Sequence, residues 1–571
     1  MEYFKKIITD ELVKITNMKF EDIFSSIEIP KKKEYGDFAF PCFKLSKELK
    51  KSPQIIANDL VIKLNEQKNE YVEEYNLLGA YINIKLKTNK IVEHLVNKII
   101  DKKNDYGKLN IGNNKTILLD FSSTNIAKPF HIGHLRSTVI GNSLYRIYKN
   151  LGYNAVAINY LGDYGTQFGK LIVAYKLWGN KEEIEKDPIR EFLKIYVKFH
   201  EEAEKNKKLE DEAREIFKKL ENKEDEEIYN LWVWIKETSL KEFKKVYEML
   251  DVHFDSYNGE SYYQDKLNVA LDVLREKGIV KKDDGAEIVD LSEYNMPPAL
   301  ITKKDGSTLY MTRDIAAAIV RKQEYNYDKN IYVVAYQQDL HFKQWFKVLE
   351  LMGYDYAKDC VHVNFGMVSL PDGTLKTREG KVVFLEEVLL NSIDLVKKII
   401  EEKNPNLENK DEIAKQIGVG AVIFQDLFNL RIKDYVFDWN KFLSFEGETG
   451  PYVQYAHARA CSILTKNNII EENINLSINF DLLNDDISRE LIIELLNFEK
   501  VIIEASEDYE PSKITRYVVN IAQLFNKFYN ENQINVDDIE LKTARIALVY
   551  ISKLVIKNAL YLIGIKAPEK M

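Results

Sequence analysis

The run SSTNIAKPFHIGHLRST (122–138) combines residue types and spacing suited to chemistry on phosphate. His131 and His134 flank Gly133 where a buried-strand pattern, TILLDF (116–121), gives way to a helical one. A helix N-terminus offers unpaired backbone N–H groups and the positive end of the helix dipole, both favourable to phosphate. Gly133 has no side chain to hold a nucleotide away, and two imidazoles can donate hydrogen bonds to the oxygens of a transferring phosphoryl group. A tetrapeptide of the form HxGH arises by chance. The strand before it and the helix after it are what give it weight. There is no G-x-S-x-G elbow and no Ser–His–Asp constellation. Cys42, Cys360 and Cys461 lie too far apart for zinc-knuckle spacing, so no structural zinc or other metal site is expected. Three cysteines in such a chain suit a reducing compartment.

These residues need a scaffold. After the loop, HLRSTVIGNSLYRIYKNLG reads as a helix with an apolar stripe of Leu135, Val139, Leu144, Ile147, Tyr148 and Leu151, stopped at Gly152. AVAINY (155–160) is a second strand, so strand, helix and strand make a βαβ unit of a parallel sheet. Sheet-like segments resume at AEIVDL (286–291) and IYVVAY (331–336), and the charged helices of about 176–250 read as an insertion. The first 100 or so residues form a small α/β unit with strands at Asp37–Cys42 and 80–87; from about 400 onward nearly every segment is helical. The expected domains are 1–105, 106–400 and 401–571. The fold class is α/β: a Rossmann-type domain with helical insertions, an appended N-terminal α/β domain and a C-terminal all-α bundle. Of 571 residues, 45% are hydrophobic and 30% charged, a globular composition. The net charge of −9 disfavours a surface coated in basic charge. The start, MEYFKKIITDELVK, does not read as a secretory signal, and no run of about 18 apolar residues exists to span a membrane. A cytoplasmic protein is expected.

His131-Ile132-Gly133-His134 resembles the HIGH signature of class I aminoacyl-tRNA synthetases, and TNIAKPFHIGHLRST is similar to its arginyl-tRNA synthetase form. NYLGDYGTQFGKL (159–171), LYMTRDIAAA (309–318), YQQDLHFKQ (336–344), GETGPYVQYAHARA (447–460) and LYLIGIKAPEKM (560–571) resemble further blocks of that family, in order. Tyr164 stands where the family more often has Trp. The resemblance implies arginyl-adenylate formation from L-arginine and ATP, with Mg²⁺ on the phosphates, then transfer to the terminal adenosine of tRNA(Arg). No editing domain is evident, and a monomer is expected.

The resemblance also implies roles. Lys128, His131, Gly133 and His134 face the ATP phosphates; His341 and Gln344 reach the adenosine. DGTLKTREGK (372–381) corresponds to the second class I signature, KMSKS, but Thr377 stands where its key lysine belongs. Lys128 is then the substitute, with Lys376 and Arg378 as further candidates. A guanidinium is planar, always charged and presents five donors, so its pocket needs carboxylates and an acceptor or π-face. The resemblance gives that pocket Glu260, Tyr310 and Asp314, and gives Asn125 and Gln338 the α-amino and carboxylate end. Tyr452, Tyr455, His457 and Met571 are candidates for the anticodon, and Tyr81 and Asn83 for the outer corner of the tRNA, since single-stranded bases are read by aromatic stacking. Two other readings stay open: another HIGH-type nucleotidyl transferase, against which stand the appended domains, and a catalytically altered RNA-binding paralogue, against which stand the intact His131, Gly133 and His134.

Overall fold

The computed structural model describes residues 1–304, 308, 310–369, 383–438 and 443–571. They fall into two compact units, one of residues 1–106, 459–500 and 520–556, the other of 107–458, 501–519 and 557–571.

The first unit holds an antiparallel sheet of β1 (Phe38–Pro41), β2 (Val72–Leu78) and β3 (Tyr81–Leu86), in the order β1-β3-β2. The alternation in AYINIKLK works as period two requires: Ile82, Ile84 and Leu86 are fully buried on one face. Phe4, Ile8 and Leu12 of the opening helix Glu2–Thr16 are buried as well. Asp37 accepts from Leu86 N–H (2.8 Å) and from the Arg489 guanidinium (2.6 Å), which ties the sheet edge to the helix Asp486–Leu496.

In chain order the second unit holds β4 (Thr116–Asp120), β5 (Asn154–Ile158), an antiparallel ladder of β6 (Val280–Asp283), β7 (Ala286–Val289) and β8 (Ala299–Thr302), then β9 (Lys329–Ala335), β10 (Cys360–Phe365), β11 (Val368–Ser369) and β12 (Tyr435–Val436). The parallel sheet runs β10-β9-β4-β5. Its order reverses between β4 and β9, which opens a crevice at their carboxyl ends. Ile117, Leu118 and Leu119 of β4 are buried, as in a sheet covered on both faces. AEIVDL, read as sheet-like, is a strand of the separate ladder. The insertion is helical throughout, at Lys181–Lys186, Pro188–Lys205, Lys208–Glu221 and Glu226–Met249.

The helix Leu135–Asn150 covers β4 and ends before Gly152, whose φ of +82° makes the left-handed stop expected from the sequence. In mid-helix, Gly141 lets the backbone lie against the Phe121 ring; a Cβ there would stand 2.1 Å from Phe121 Cγ. The carboxyl end of β4 is fixed by Asp120, which accepts from the buried Arg321 guanidinium (2.8 Å) and from Ser123 Oγ (2.8 Å). Arg321 also lies against the rings of Tyr160, Tyr263 and Tyr332, so the helix Tyr310–Tyr325 is pinned to the sheet.

Glycine to alanine in a helix interior ordinarily stabilises by about 1 kcal/mol. Gly141→Ala is expected to do the reverse, destabilising by about 1–3 kcal/mol through overpacking against Phe121. A urea midpoint below that of the wild type checks this.

Candidate active site

The crevice is floored by the loops that follow β4, β5 and β9. In the first, Ser122, Ser123 and Ala127 all have positive φ (68°, 45° and 58°), a conformation non-glycine residues seldom adopt. Ser122 Oγ is held by Tyr247 (2.8 Å) and Thr138 (2.9 Å). The loop ends in a single 3₁₀ turn, Ile132–His134, that leads into the helix.

The two histidines cap that turn themselves. Gly133 N–H donates to His131 Nδ1 (3.0 Å), and His131 N–H donates to His134 Nδ1 (3.2 Å). Nδ1 is therefore an acceptor in both rings, so in the neutral state the proton sits on Nε2. Burial keeps both rings neutral. It lowers His131 to about 4 and His134 well below its ordinary value, the latter with help from His131 and the nearby Lys128 charge. The ring centroids are 4.0 Å apart. The result is a pair of uncharged N–H donors at a helix start.

The chain leaving 370–382 pairs with this loop: Ile132 N–H donates to Val383 O (3.3 Å) and Leu385 N–H to Phe130 O (2.9 Å). On the entering side, β11 pairs with β12. Arg136, fully buried, donates to Gly366 O (3.0 Å) and Lys433 O (2.7 Å) and lies 3.5 Å from Asp426, which also accepts from Tyr435 OH (2.8 Å). Lys376 and Arg378 lie outside the described residues.

The loop after β5 carries Asn159–Gly165. Gly162 is seated against Asn125: its N–H donates to Thr124 O (3.0 Å), and a Cβ on it would lie 2.3 Å from Asn125 Oδ1. Asn125 is itself exposed. Glu260 begins the helix Glu260–Gln264 and pairs with Arg313 (3.3 Å). The Arg313 guanidinium lies 5.6 Å from the Tyr164 ring and 5.8 Å from the Tyr310 ring. Burial raises Glu260 to about 7, opposed by Arg313 and reinforced by Asp314 and Asp163. Asp314 bonds His341 Nε2 (2.6 Å). Tyr310 starts its helix and is 65% exposed; Gln338, at the start of the helix Asp339–Leu351, is exposed too.

The crevice thus gathers Asn125, Lys128, His131, Gly133, His134, Glu260, Asp314, Gln338 and His341. Sequence reading missed Arg313 and Asp163, although both stand beside residues it did single out. It also missed that His341 is held by Asp314. Gln344 is buried, its amide N–H groups given to the carbonyls of Pro297 (2.8 Å) and Pro298 (3.3 Å). Two RNA candidates need correction. His457 is 1% exposed and bonds Pro568 O through Nδ1 (2.9 Å), holding the C-terminal tail rather than facing solvent. Asn83 is buried in the central strand β3. Tyr455 is 40% exposed, Tyr452 and Met571 are half-buried, and Tyr81 packs edge-on against Phe43.

Three family models match the chain: tRNA synthetases class I (R), catalytic domain, over residues 95–439; DALR anticodon binding domain, over 453–571; and Arginyl tRNA synthetase N terminal domain, over 2–86. Arginine–tRNA ligases of Clostridioides difficile and Halothermothrix orenii are 53% and 54% identical to it over 572 and 569 residues, with 100% of each chain covered. A solved structure of Thermus thermophilus arginyl-tRNA synthetase superposes with a TM-score of 0.81 at 25% identity, covering 99% of both chains.

Because the Nδ1 atoms accept backbone N–H groups and burial depresses both rings, His131 and His134 are expected to remain neutral Nε2–H tautomers at pH 5.5, above the value of about 4 for His131. Nitrogen-15 spectra of histidine-labelled protein check this. An imidazolium signal from either ring at that pH contradicts it.

Proposed function

The chain belongs to the arginyl-tRNA synthetases of class I, and from that premise we propose how its residues carry the reaction. The activity is ATP-dependent charging of tRNA(Arg) with L-arginine. In the first step a carboxylate oxygen of arginine attacks the α-phosphorus of ATP. The bond to the β-phosphate oxygen breaks, pyrophosphate leaves, and arginyl-adenylate forms. In the second step a hydroxyl of the terminal ribose, the 2′-hydroxyl in class I enzymes, attacks the mixed anhydride. AMP leaves and the hydroxyl proton is lost. Neither step needs a side-chain nucleophile; both need placement and compensation of charge developing on phosphate.

The observation that carries the reading is the pair of neutral Nε2–H donors, His131 and His134, after the first strand of the parallel sheet, with the carboxylate residues Glu260 and Asp314 bonded to the segments that follow its neighbouring strands. The imidazoles donate to phosphate oxygens, Gly133 admits the nucleotide, and Lys128 adds the positive charge that Thr377 cannot. Lys376 and Arg378, outside the described residues, are proposed to assist, and Gln344 supports the adenosine side through the Pro297–Pro298 turn. Asp314 and Glu260 receive the guanidinium, with Tyr310 over it; Asn125 and Gln338 take the α-amino and carboxylate end. His341, through its bond to Asp314, aligns that carboxylate and borders the nucleotide. Mg²⁺ enters with the ATP phosphates. Among the described residues no group of three or more His, Cys, Asp or Glu is placed to hold a metal, so no step is routed through it.

Residues 1–105 are proposed to meet the outer corner of the tRNA through Tyr81, and residues 401–571 its anticodon through Tyr452, Tyr455 and Met571, flanking the catalytic part at 106–400. No helix among the described residues is long and apolar enough to cross a membrane; a monomer working in the cytoplasm is the proposed state.

The deciding experiment charges mixed tRNA with each of the twenty amino acids in turn. Arginine alone is expected to be esterified, and efficient charging of another excludes the reading. Asp314→Asn is expected to raise the KM for arginine roughly ten- to a hundredfold, the 1.5–3 kcal/mol of a hydrogen bond to a charged group, with the KM for ATP little changed. Pyrophosphate exchange with tRNA present measures both.

The pH dependence follows from Glu260. A carboxylate holds a guanidinium only when ionised, and Glu260 ionises at about 7 in the free protein. The ionised fraction grows from about a tenth at pH 6 to about nine-tenths at pH 8. Since kcat/KM reports the free enzyme, kcat/KM for arginine is expected to rise through pH 7, and Glu260→Gln to flatten that rise.

A further inference from the structure

Asp163 lies in the loop after β5 and is completely buried. A buried carboxylate survives as an anion only when its oxygens are matched by donors or cations. Asp163 is matched from two segments. Ser261 gives it two hydrogen bonds, N–H to Oδ1 (2.8 Å) and Oγ–H to Oδ2 (2.6 Å). Lys236, from the inserted helix Glu226–Met249, places Nζ 2.5 Å from Oδ2. On that same helix, Trp232 donates its indole N–H to the Asp163 carbonyl (2.9 Å).

Residues 259–261 are thereby zipped onto 161–163. Glu260 N–H donates to Leu161 O (2.9 Å). Gly259 shows how close the two stretches run, since a Cβ there would lie 2.5 Å from Leu161 O and 2.6 Å from Asp163 Oδ1. Glu260 thus has its own N–H fixed by Leu161 and its next neighbour fixed by Asp163. One residue away on the other side, Gly162 seats Asn125. The loop is a splint with the two ends of the arginine site on either side of it.

We propose that Asp163 is a positioning residue for arginine: it touches no substrate, but by clamping Ser261 it sets where the Glu260 carboxylate stands. The proposal rests on the reading of Glu260 as an arginine ligand. A fastening of general importance to the fold would, when loosened, lower stability and disturb both substrates alike. A clamp on Glu260 disturbs arginine alone. Asp163 also acts on Glu260 through space, because its negative charge is among the causes that raise the Glu260 carboxyl.

The test compares Asp163→Asn, Ser261→Ala and Glu260→Gln in the full chain by pyrophosphate exchange with tRNA present, alongside urea denaturation. Asp163→Asn keeps the side-chain shape but replaces the oxygen that accepts from Ser261 Oγ and Lys236 by a donor. It is expected to raise the KM for arginine about tenfold, with kcat and the KM for ATP within about twofold of wild type. Ser261→Ala, which removes one of the two clamping bonds, is expected to raise it about threefold and keeps the proposal testable should Asp163→Asn fail to fold. In Asp163→Asn the pH midpoint of kcat/KM for arginine should move down from about 7, a change a purely structural role would not produce. If Glu260→Gln raises the arginine KM while the Asp163 and Ser261 variants leave it unchanged, or change both substrates and kcat together, the positioning role is wrong. If Glu260→Gln itself leaves the arginine KM unchanged, the placement of Glu260 fails, and the proposal with it.

Discussion

Arg136 leaves the first turn of the helix that follows His134 and buries its guanidinium among three other segments of the second unit. It bonds the carbonyls of Gly366 and Lys433, faces Asp426 at 3.5 Å and lies over the Tyr435 ring. Gly366 lies just before β11; Lys433 and Tyr435 belong to the stretch that pairs with β11; Asp426 stands on the helix Lys410–Phe428. Removing one partner of a buried charge pair typically costs about 3–5 kcal/mol, because the survivor has no water to turn to. Such a bond is a poor source of net stability but a strict geometric instruction. The helix that follows the histidine loop, the paired stretches around Gly366 and Lys433, and the helix Lys410–Phe428 meet here at one registration.

The carboxylates of the crevice obey the same rule. Buried anions without counter-charge take up protons. Glu260 faces Arg313, Asp314 faces His341, Asp120 faces Arg321 and Asp163 faces Lys236. Much of the desolvation of the site is therefore met during folding rather than on binding. Compensation is incomplete at two of them: burial raises Asp120 despite Arg321, and raises Glu260, at 3.3 Å from a single guanidinium nitrogen, to about 7.

The parts of this arrangement differ in how openly the sequence displays them. β4, β5 and the helix between them could be read because buried parallel strands are continuous apolar runs and the helix keeps one apolar stripe. β2 could not. VEEYNLL buries only Val72 and Tyr75, so its pattern resembles neither a strand nor a helix. β10, CVHVNF, was also missed; His362 and Asn364 interrupt its apolar run, yet they find partners in Val334 O and Asp339. His131, Gly133 and His134 were legible because their order along the chain is their chemistry. The pairing of His341 with Asp314 was not, since it joins two neighbouring helices that are separated in sequence by a strand. His457 was within reach: Val453, His457, Ala460 and Leu464 share helical spacing and are all buried, so the stripe marks His457 as core.

The tautomers of His131 and His134 bear on how the protein tolerates salt. Mobile ions screen fixed charges over roughly 8–10 Å, but they do little to a hydrogen bond from an uncharged ring, here half-buried in both cases. Capture of a tRNA backbone, by contrast, releases counterions and weakens steeply as ionic strength rises. On the proposed roles, the part of the phosphate contact made by these two neutral rings, unlike the part made by Lys128, depends little on ionic strength. On the roles proposed above, a rise in ionic strength weakens the capture of tRNA before it weakens hydrogen bonds from His131 and His134 to a phosphate.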